Sequence, residues 1–289
     1  MTGEQFLEEV KSSNICPDNF ENIYSKFQVF QREALRTLIE THRVCELNHI
    51  PYELAYGSLL GLVRDGGQIP WDYDIDIIVP FEYKQALVDA LNKDLNTGYY
   101  YYSTDNNPLC RHMIMRIAPK EYRTEALHVD VFFYIGTPED EEKRKAFAHK
   151  VKKISIMRFG KLVNCREEAV GDKVKFLKLL IGRKAPAMFV SLKQIDNQYR
   201  ILCEKYPTTT SSYCISADTF ADWKAIPSKL LWDTKIVKCS YGEIRIPVHY
   251  DELLTIMYGD YKKVPSLQGR IHEVLSNYKR IIKFNNLEV

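Results

Sequence analysis

No stretch of this 289-residue chain approaches the roughly 20 apolar residues needed to cross a bilayer. The opening Met-Thr-Gly-Glu-Gln-Phe-Leu-Glu-Glu-Val has no basic segment followed by an apolar run. Neither a membrane span nor a secretory leader is expected, and the cytoplasm is the expected compartment. Paired cysteine motifs are missing too. The seven cysteines (Cys16, Cys45, Cys110, Cys165, Cys203, Cys214 and Cys239) include no C-x-x-C pair. Odd in number and irregularly spaced, they read as reduced thiols used mostly as small buried hydrophobes. A zinc site assembled from distant Cys and His stays open. There is no low-complexity tract and no internal repeat, so a solenoid or a disordered tail is not expected. What remains is globular: 45% hydrophobic and 27% charged residues, enough to bury an ordinary core.

The formal charge of +2 conceals an asymmetry. Between Lys143 and Lys184 stand 14 Lys and Arg against three acids, whereas the rest of the chain is net acidic. Such a block suits an anionic partner, whether nucleic acid, phospholipid headgroups or a polyphosphate. A solvated helical face accounts for it equally well. Within it, Val174, Phe176, Leu177, Leu180 and Ile181 can share an apolar face flanked by Lys173, Lys175 and Lys178. That pattern fits either a membrane-interface helix or a core helix with lysine stems along its edges.

Along the chain, Pro17-Asp18 begins an apolar pattern of helical period (Phe20, Ile23, Tyr24, Phe27, Phe30, Leu35, Leu38, Ile39) that runs to about Leu47. A short strand is expected over Tyr52–Tyr56, then a helix from about Ser58 to a glycine stop at Gly66-Gly67. Helices are expected over Glu82–Leu95, from Pro138 to about Met157, over Lys173–Ile181, and from Pro186 to about Tyr206. Strands are expected at Tyr99–Tyr102, His112–Ile117, His128–Tyr134 and Tyr213–Ser216, with a hairpin over Lys235–Ile246 turning at Tyr241-Gly242-Glu243.

The most informative stretch is Tyr52–Pro80. It sets Asp72, Asp74 and Asp76 at alternate positions and leads into Ile77-Ile78-Val79. Alternate residues of a strand share a face, so Asp74 and Asp76 project together while Ile75 and Ile77 enter the core. Two adjacent carboxylates repel, and Mg²⁺ or Mn²⁺ with oxygen ligands would offset that repulsion. Upstream, Gly57-Ser58 at a helix start offers amides and a hydroxyl to an anion. Asp130 lies inside the apolar strand His128–Tyr134; an unpaired carboxylate there would be costly, which makes it the natural third metal ligand, with a buried salt bridge as the alternative.

The order Gly57-Ser58, Arg64, Ile69-Pro70-Trp71-Asp72 and Asp74-Ile75-Asp76 resembles the LicD family of phosphotransferases. The closing segment, Ile246-Pro247 to Tyr258-Gly259-Asp260-Tyr261, is similar to the end of the same family. The resemblance implies an α/β (α+β) fold: a mixed β-sheet, nucleotidyltransferase-like core flanked by helices, with a mainly helical C-terminal portion. Residues 1–140 would form the catalytic core with its N-terminal helix. Residues 141–289 would carry the basic helical segment and the closing region, either as a unit or continuous with the core. Asp74, Asp76 and Asp130 would hold Mg²⁺ or Mn²⁺ and be catalytic, Asp130 also serving as base. Gly57, Ser58, Arg64 and Arg116 would bind phosphate, with an ion pair to Asp72 or another local acid as the alternative for Arg64. Asp72, Trp71 and His272 would support the site. The implied reaction moves a substituted phosphate from a CDP-linked donor to a glycan or lipid-linked glycan acceptor and releases CMP. No nucleic acid partner is expected, and residues 143–184 are the expected peripheral contact with the inner face of the plasma membrane. Two rivals share parts of the pattern: a nucleotidyltransferase that releases pyrophosphate, and a non-catalytic protein that docks through the basic block.

Overall fold

The computed structural model describes residues 1–169, 172–218, 224–239 and 242–285. Helix α1 (Gly3–Lys11) opens on a capping box in which Thr2 and Gln5 satisfy each other's backbone amides. This helix is not among those expected, although Phe6 and Val10, four residues apart, and the Thr-x-x-Gln signature both mark one. It delivers Phe6 and Val10 to the core. Helix α2 (Phe20–Leu47) follows, as its period predicts. Its inner face meets Phe6 and the loop before the acidic strand: Phe6 lies edge-on to Tyr24 and against Trp71, and Phe27 lies edge-on to Tyr73.

Next come β1 (Glu53–Leu54), α3 (Tyr56–Asp65), β2 (Ile75–Pro80), α4 (Lys84–Asp94), β3 (Tyr99–Tyr102), β4 (Met115–Pro119) and β5 (Val129–Gly136). The sheet order is β1-β2-β5-β4-β3, with β5 at its centre. Strands β2 and β5 run parallel, and every other pairing is antiparallel. Strand β6 (Tyr213–Ser216) takes the C-terminal half of the β5 edge that β4 leaves uncovered, and β7 (Ile226–Pro227) pairs with β6. A separate ribbon joins β8 (Thr234–Cys239) to β9 (Gly242–Pro247). The expected turn residue Tyr241 lies outside the described residues.

Helices fill the second half: α5 (Glu141–Leu162), α6 (Cys165–Ala169), α7 (Lys173–Leu179), a π-helical turn over Leu180–Lys184, α8 (Ala185–Ala187), α9 (Leu192–Cys203), α10 (Tyr250–Tyr258) and α11 (Leu267–Asn285). The fold is thus mixed α/β with a helical C-terminal portion. The single helix expected from Pro186 to Tyr206 is instead two, because Ser191 and Gln194 form a capping box that starts α9 afresh. The Tyr52–Tyr56 strand shrinks to two residues because the chain turns into α3 at Tyr56, earlier than the expected Ser58. One contiguous apolar core runs from Phe6 to Ile282, and a small satellite of Phe159, Val163 and Cys165 packs under Phe176 and Leu179. All seven cysteines are free thiols, five of them buried.

The stop of α3 is the expected glycine cap, with Gly66 at φ 76°. Inside the same helix, Gly61 permits a close crossing: a Cβ there would stand 2.6 Å from the Gly67 carbonyl oxygen and 2.8 Å from the Ile69 nitrogen. Both are backbone atoms that cannot swing aside. Gly61→Ala is therefore expected to lower stability by about 2–3 kcal/mol, read as a lower urea midpoint at unchanged slope. An unshifted midpoint would show that the 67–69 loop yields freely.

Candidate active site

From Trp71 to Ile77 burial alternates residue by residue: Trp71, Tyr73, Ile75 and Ile77 are buried, while Asp72, Asp74 and Asp76 are partly open. The cause is the aromatic cluster beneath, which takes Trp71 and Tyr73 and so turns all three carboxylates to the other side. The parallel register then sets Asp76 opposite Asp130, and the antiparallel register of β4 sets Arg116 opposite Asp130. Tyr102 of β3 lies opposite Arg116. A row Asp76, Asp130, Arg116, Tyr102 therefore crosses four strands on one face of the sheet.

Helix α3 is stitched to that row at Asp76. The Ala55 amide donates to the Asp76 carbonyl at 3.0 Å, and the Asp76 amide donates to Ser58 Oγ at 2.9 Å. Ser58 thus accepts from the acidic strand through one lone pair, which leaves its O–H free to donate elsewhere. Ala55 caps the helix without a side-chain bond, and the first amides of a helix, here those of Tyr56, Gly57 and Ser58, have no intrahelical acceptor. Gly57 faces Asp72: a Cβ there would stand 3.4 Å from Asp72 Oδ2. Tyr56 holds this corner with φ 46°, its ring edge-on to Phe132 and its hydroxyl 2.9 Å from that of Tyr134.

The electrostatics split the acids in two. Burial first, and then the charge of Asp74, raise Asp72 well above the ordinary carboxylate range. Burial, then Asp74, Asp130 and Asp72, do the same to Asp76. Burial also works to raise Asp130, but His128 and then Arg116 overcome it and hold that carboxyl below the ordinary range. Arg116 Nε donates to Asp130 Oδ1 at 2.9 Å, and His128 Nε2 lies 3.3 Å from the same oxygen. The buried ion pair, the alternative for Asp130, is what the structure contains.

Carboxylates raised by burial and by one another, as Asp72 and Asp76 are, fit a hard divalent ion with oxygen ligands. Among the described residues, no three side chains already converge at ligating distance. Asp74 and Asp76 form the part that fits. Asp130 spends Oδ1 on Arg116 and His128, and Oδ2 takes part in neither contact.

The other expected residues are placed as follows. Arg64, at the far end of α3, pairs with Asp65 through Nε at 3.1 Å and Nη2 at 2.7 Å and lies 5.5 Å from the Trp71 ring centre. Its partner is therefore Asp65, not Asp72. Asp65 also accepts from the Met1 ammonium at 3.1 Å. Trp71 is a buried ring between two guanidiniums, since Arg270 lies 5.2 Å from its centre on a bidentate pair with Glu9. His272 is exposed on α11.

Two residues that sequence reasoning left without a role belong here. His128 precedes Asp130 by two positions, so strand alternation alone puts it on the acidic face. Tyr258, at the end of α10, has its phenol raised above the ordinary range, first by burial and then by the charge of Asp76. Only the folding back of the C-terminal segment brings it there.

A further acid shares this sheet face. Glu53 of β1 stands opposite Ile78, two residues along from Asp76. It is fully buried, with one oxygen accepting from the Trp232 amide at 3.3 Å and the other without a partner. Burial pushes its carboxyl up to about 8. A folded-state value above the unfolded one means that stability falls as pH rises from about 4.5 through about 8. Glu53→Gln is expected to remove that slope and to leave the variant the more stable protein above pH 8, by up to roughly 4 kcal/mol. Parallel unfolding curves at pH 5 and pH 9 for the two proteins would overturn this.

The site is thus a carboxylate-lined corner, joined by a helix N-terminus, on a mixed sheet. Residues 49–159 match the family model described as the LicD/FKTN/FKRP nucleotidyltransferase domain. The span contains Gly57, Ser58, Arg64, Arg116, the three alternating acids and Asp130. The chain is also 26% identical over 248 residues to the lipopolysaccharide cholinephosphotransferase LicD of Haemophilus influenzae, an alignment covering 81% of this chain and 91% of that protein.

Proposed function

We propose that the protein is a metal-dependent phosphotransferase that moves a substituted phosphate, phosphocholine or a related alditol or aminoalkyl phosphate, from a CDP-linked donor to a sugar hydroxyl of a cell-surface glycan precursor. The observation that supports this reading is the stitching of Ala55 and Ser58 to Asp76, which sets a helix start suited to phosphate against paired acids suited to a cation. The named activity of the Haemophilus relative supports it. In the reaction the acceptor oxygen attacks the phosphorus bearing the substituent, the bond from that phosphorus to the CMP oxygen breaks, and CMP leaves. The acceptor proton passes to a carboxylate or to water, and the product is a phosphodiester.

Asp74 and Asp76, with Asp130, would hold Mg²⁺ or Mn²⁺. The ion would supply neutralisation of charge on the transferring and leaving phosphates. The amides at the start of α3 and the Ser58 hydroxyl orient phosphate oxygens. Arg116, anchored on Asp130, adds positive charge at the next strand. Asp130, kept ionised and weakly basic by His128 and Arg116, suits ligation better than removal of an acceptor proton. No helix among the described residues is long and apolar enough to cross a membrane; action at the cytoplasmic face, on a lipid-linked acceptor, is part of this proposal.

Thermal shifts with CDP-choline, CDP-ethanolamine, CDP-glycerol, CDP-ribitol and CTP, each with and without Mg²⁺, test the reading. Mg²⁺-dependent stabilisation by one CDP conjugate, with CMP released on turnover, is the expected result. Stabilisation by CTP alone with pyrophosphate release would replace it with nucleotidyl transfer, and silence toward every nucleotide would leave a docking protein.

A further inference from the structure

The sequence suggested that Val174, Phe176, Leu177, Leu180 and Ile181 could form one apolar face. The structure divides them. Phe176 and Leu179 turn inward onto Phe159, Val163 and Cys165. Val174, Leu177 and Ile181, at i, i+3 and i+7, form a stripe on the opposite side, 63%, 53% and 62% exposed. Met188 and Phe189 extend the apolar surface past α8, and Phe189 is 91% exposed. Scattered exposed apolar side chains are ordinary, but six large ones within sixteen residues, Leu180 included, are not.

The charged side chains of α7 itself are all basic, while the N-cap Asp172 accepts from the Val174 and Lys175 amides. Lys173 and Lys178 fall to either side of it at 100° per residue, and no residue of α7 itself is acidic. Beside it, between α5 and the π-helical turn, runs a groove of about 620 Å³ whose lining includes Lys152, Lys153 and Arg183 above Ile156 and Met157, with no carboxylate. Apolar side chains that project outward, rimmed by lysines and next to a cationic groove with an apolar floor, complement a surface that is anionic outside and apolar within. We propose that the α7 to Phe189 segment docks on an anionic lipid bilayer, the stripe entering the headgroup boundary and the groove receiving lipid phosphates. This surface is made of different residues from the acid cluster and does not depend on the reaction proposed above.

Flotation with vesicles tests it. The full chain is expected to float with equimolar phosphatidylcholine and phosphatidylglycerol, to stay soluble with phosphatidylcholine alone, and to be released by high salt. Lys173→Gln/Lys175→Gln/Lys178→Gln is expected to lower partitioning roughly a hundredfold, and Leu177→Ser/Ile181→Ser/Phe189→Ser by tenfold or more. All six positions are partly or largely open to solvent, so both variants should melt like the parent, and Asp76→Asn should float unchanged. Equal soluble fractions with the two vesicle types, or variants that float like the parent, would overturn the proposal. So would a concentration-dependent dimer that the apolar variant abolishes without any flotation, since the surface would then belong to a second copy of the chain.

Discussion

Asp76→Asn is expected to slow transfer at least a hundredfold while making the metal-free protein more stable. The loss follows from removing a carboxylate that would hold the charge-neutralising ion, a contribution of roughly 3 kcal/mol or more to the transition state. The gain follows from the same side chain's surroundings. Its carboxyl is raised by burial and by three neighbouring acids, so the folded state binds its proton more tightly than the unfolded chain does. Stability of the parent must then fall as pH rises above the ordinary carboxylate range. Asparagine carries no charge there, and its amide keeps the volume. Melting in EDTA should show the variant a few degrees above the parent at pH 8, with the gap narrowing toward pH 4; added Mg²⁺ should stabilise the parent and leave the variant unmoved. A variant that melts lower than the parent at every pH, or that turns over normally, would remove Asp76 from the site. Opposite effects on activity and stability are what a functional site built from mutually repelling groups produces.

The second large effect concerns the other half of the row. Arg116→Met takes the guanidinium from the Asp130 carboxylate, and is expected to cost about 3–5 kcal/mol, the range for an ion pair broken inside a protein. Arg116→Met/Asp130→Asn should recover most of that loss, because no unpaired charge stays behind. The pH dependence separates this from simple loss of packing. Asp130 is held below the ordinary range, so its contribution in the parent is present above the unfolded value of 3.8 and disappears as pH falls below it. The single variant should lose much of that acid-side slope. Urea titrations at pH 7 and about pH 3 on the parent, the single and the double variant decide it; a double variant no more stable than the single would mean that packing, not charge, carries the effect.

Much of the site could be read one residue at a time. The spacing of Asp74 and Asp76 sufficed to put them on one face, although the strand itself starts only at Ile75, because the apolar Tyr73 and Ile75 turn inward; that Asp72 joins them was decided by the burial of Trp71. Gly66 was legible as a cap because few residues tolerate its φ. Asp130 stood out as an acid in an apolar strand, yet what it does there was not legible. His128, two residues away on the same face, was passed over although alternation pointed to it. Arg64 shows the limit from the other side: its position in the motif suggested phosphate, while Asp65 beside it and Trp71 across the loop take its guanidinium.

The sequence by itself determined the local geometry of this protein: the α2 period, the alternation of Asp74 and Asp76, the glycine stop of α3 and the interleaving of helices with strands. Each depends on backbone preference and on residues within a few positions of one another. Tertiary structure alone decided that Asp76 stands beside Asp130 and Arg116, that Tyr258 returns from the end of the chain to the acids, and that Val174, Leu177 and Ile181 face outward while Phe176 and Leu179 face in. Strand register and the choice of which apolar face is covered are settled by contacts between segments tens of residues apart, and no local pattern encodes which of two equally apolar faces finds a partner.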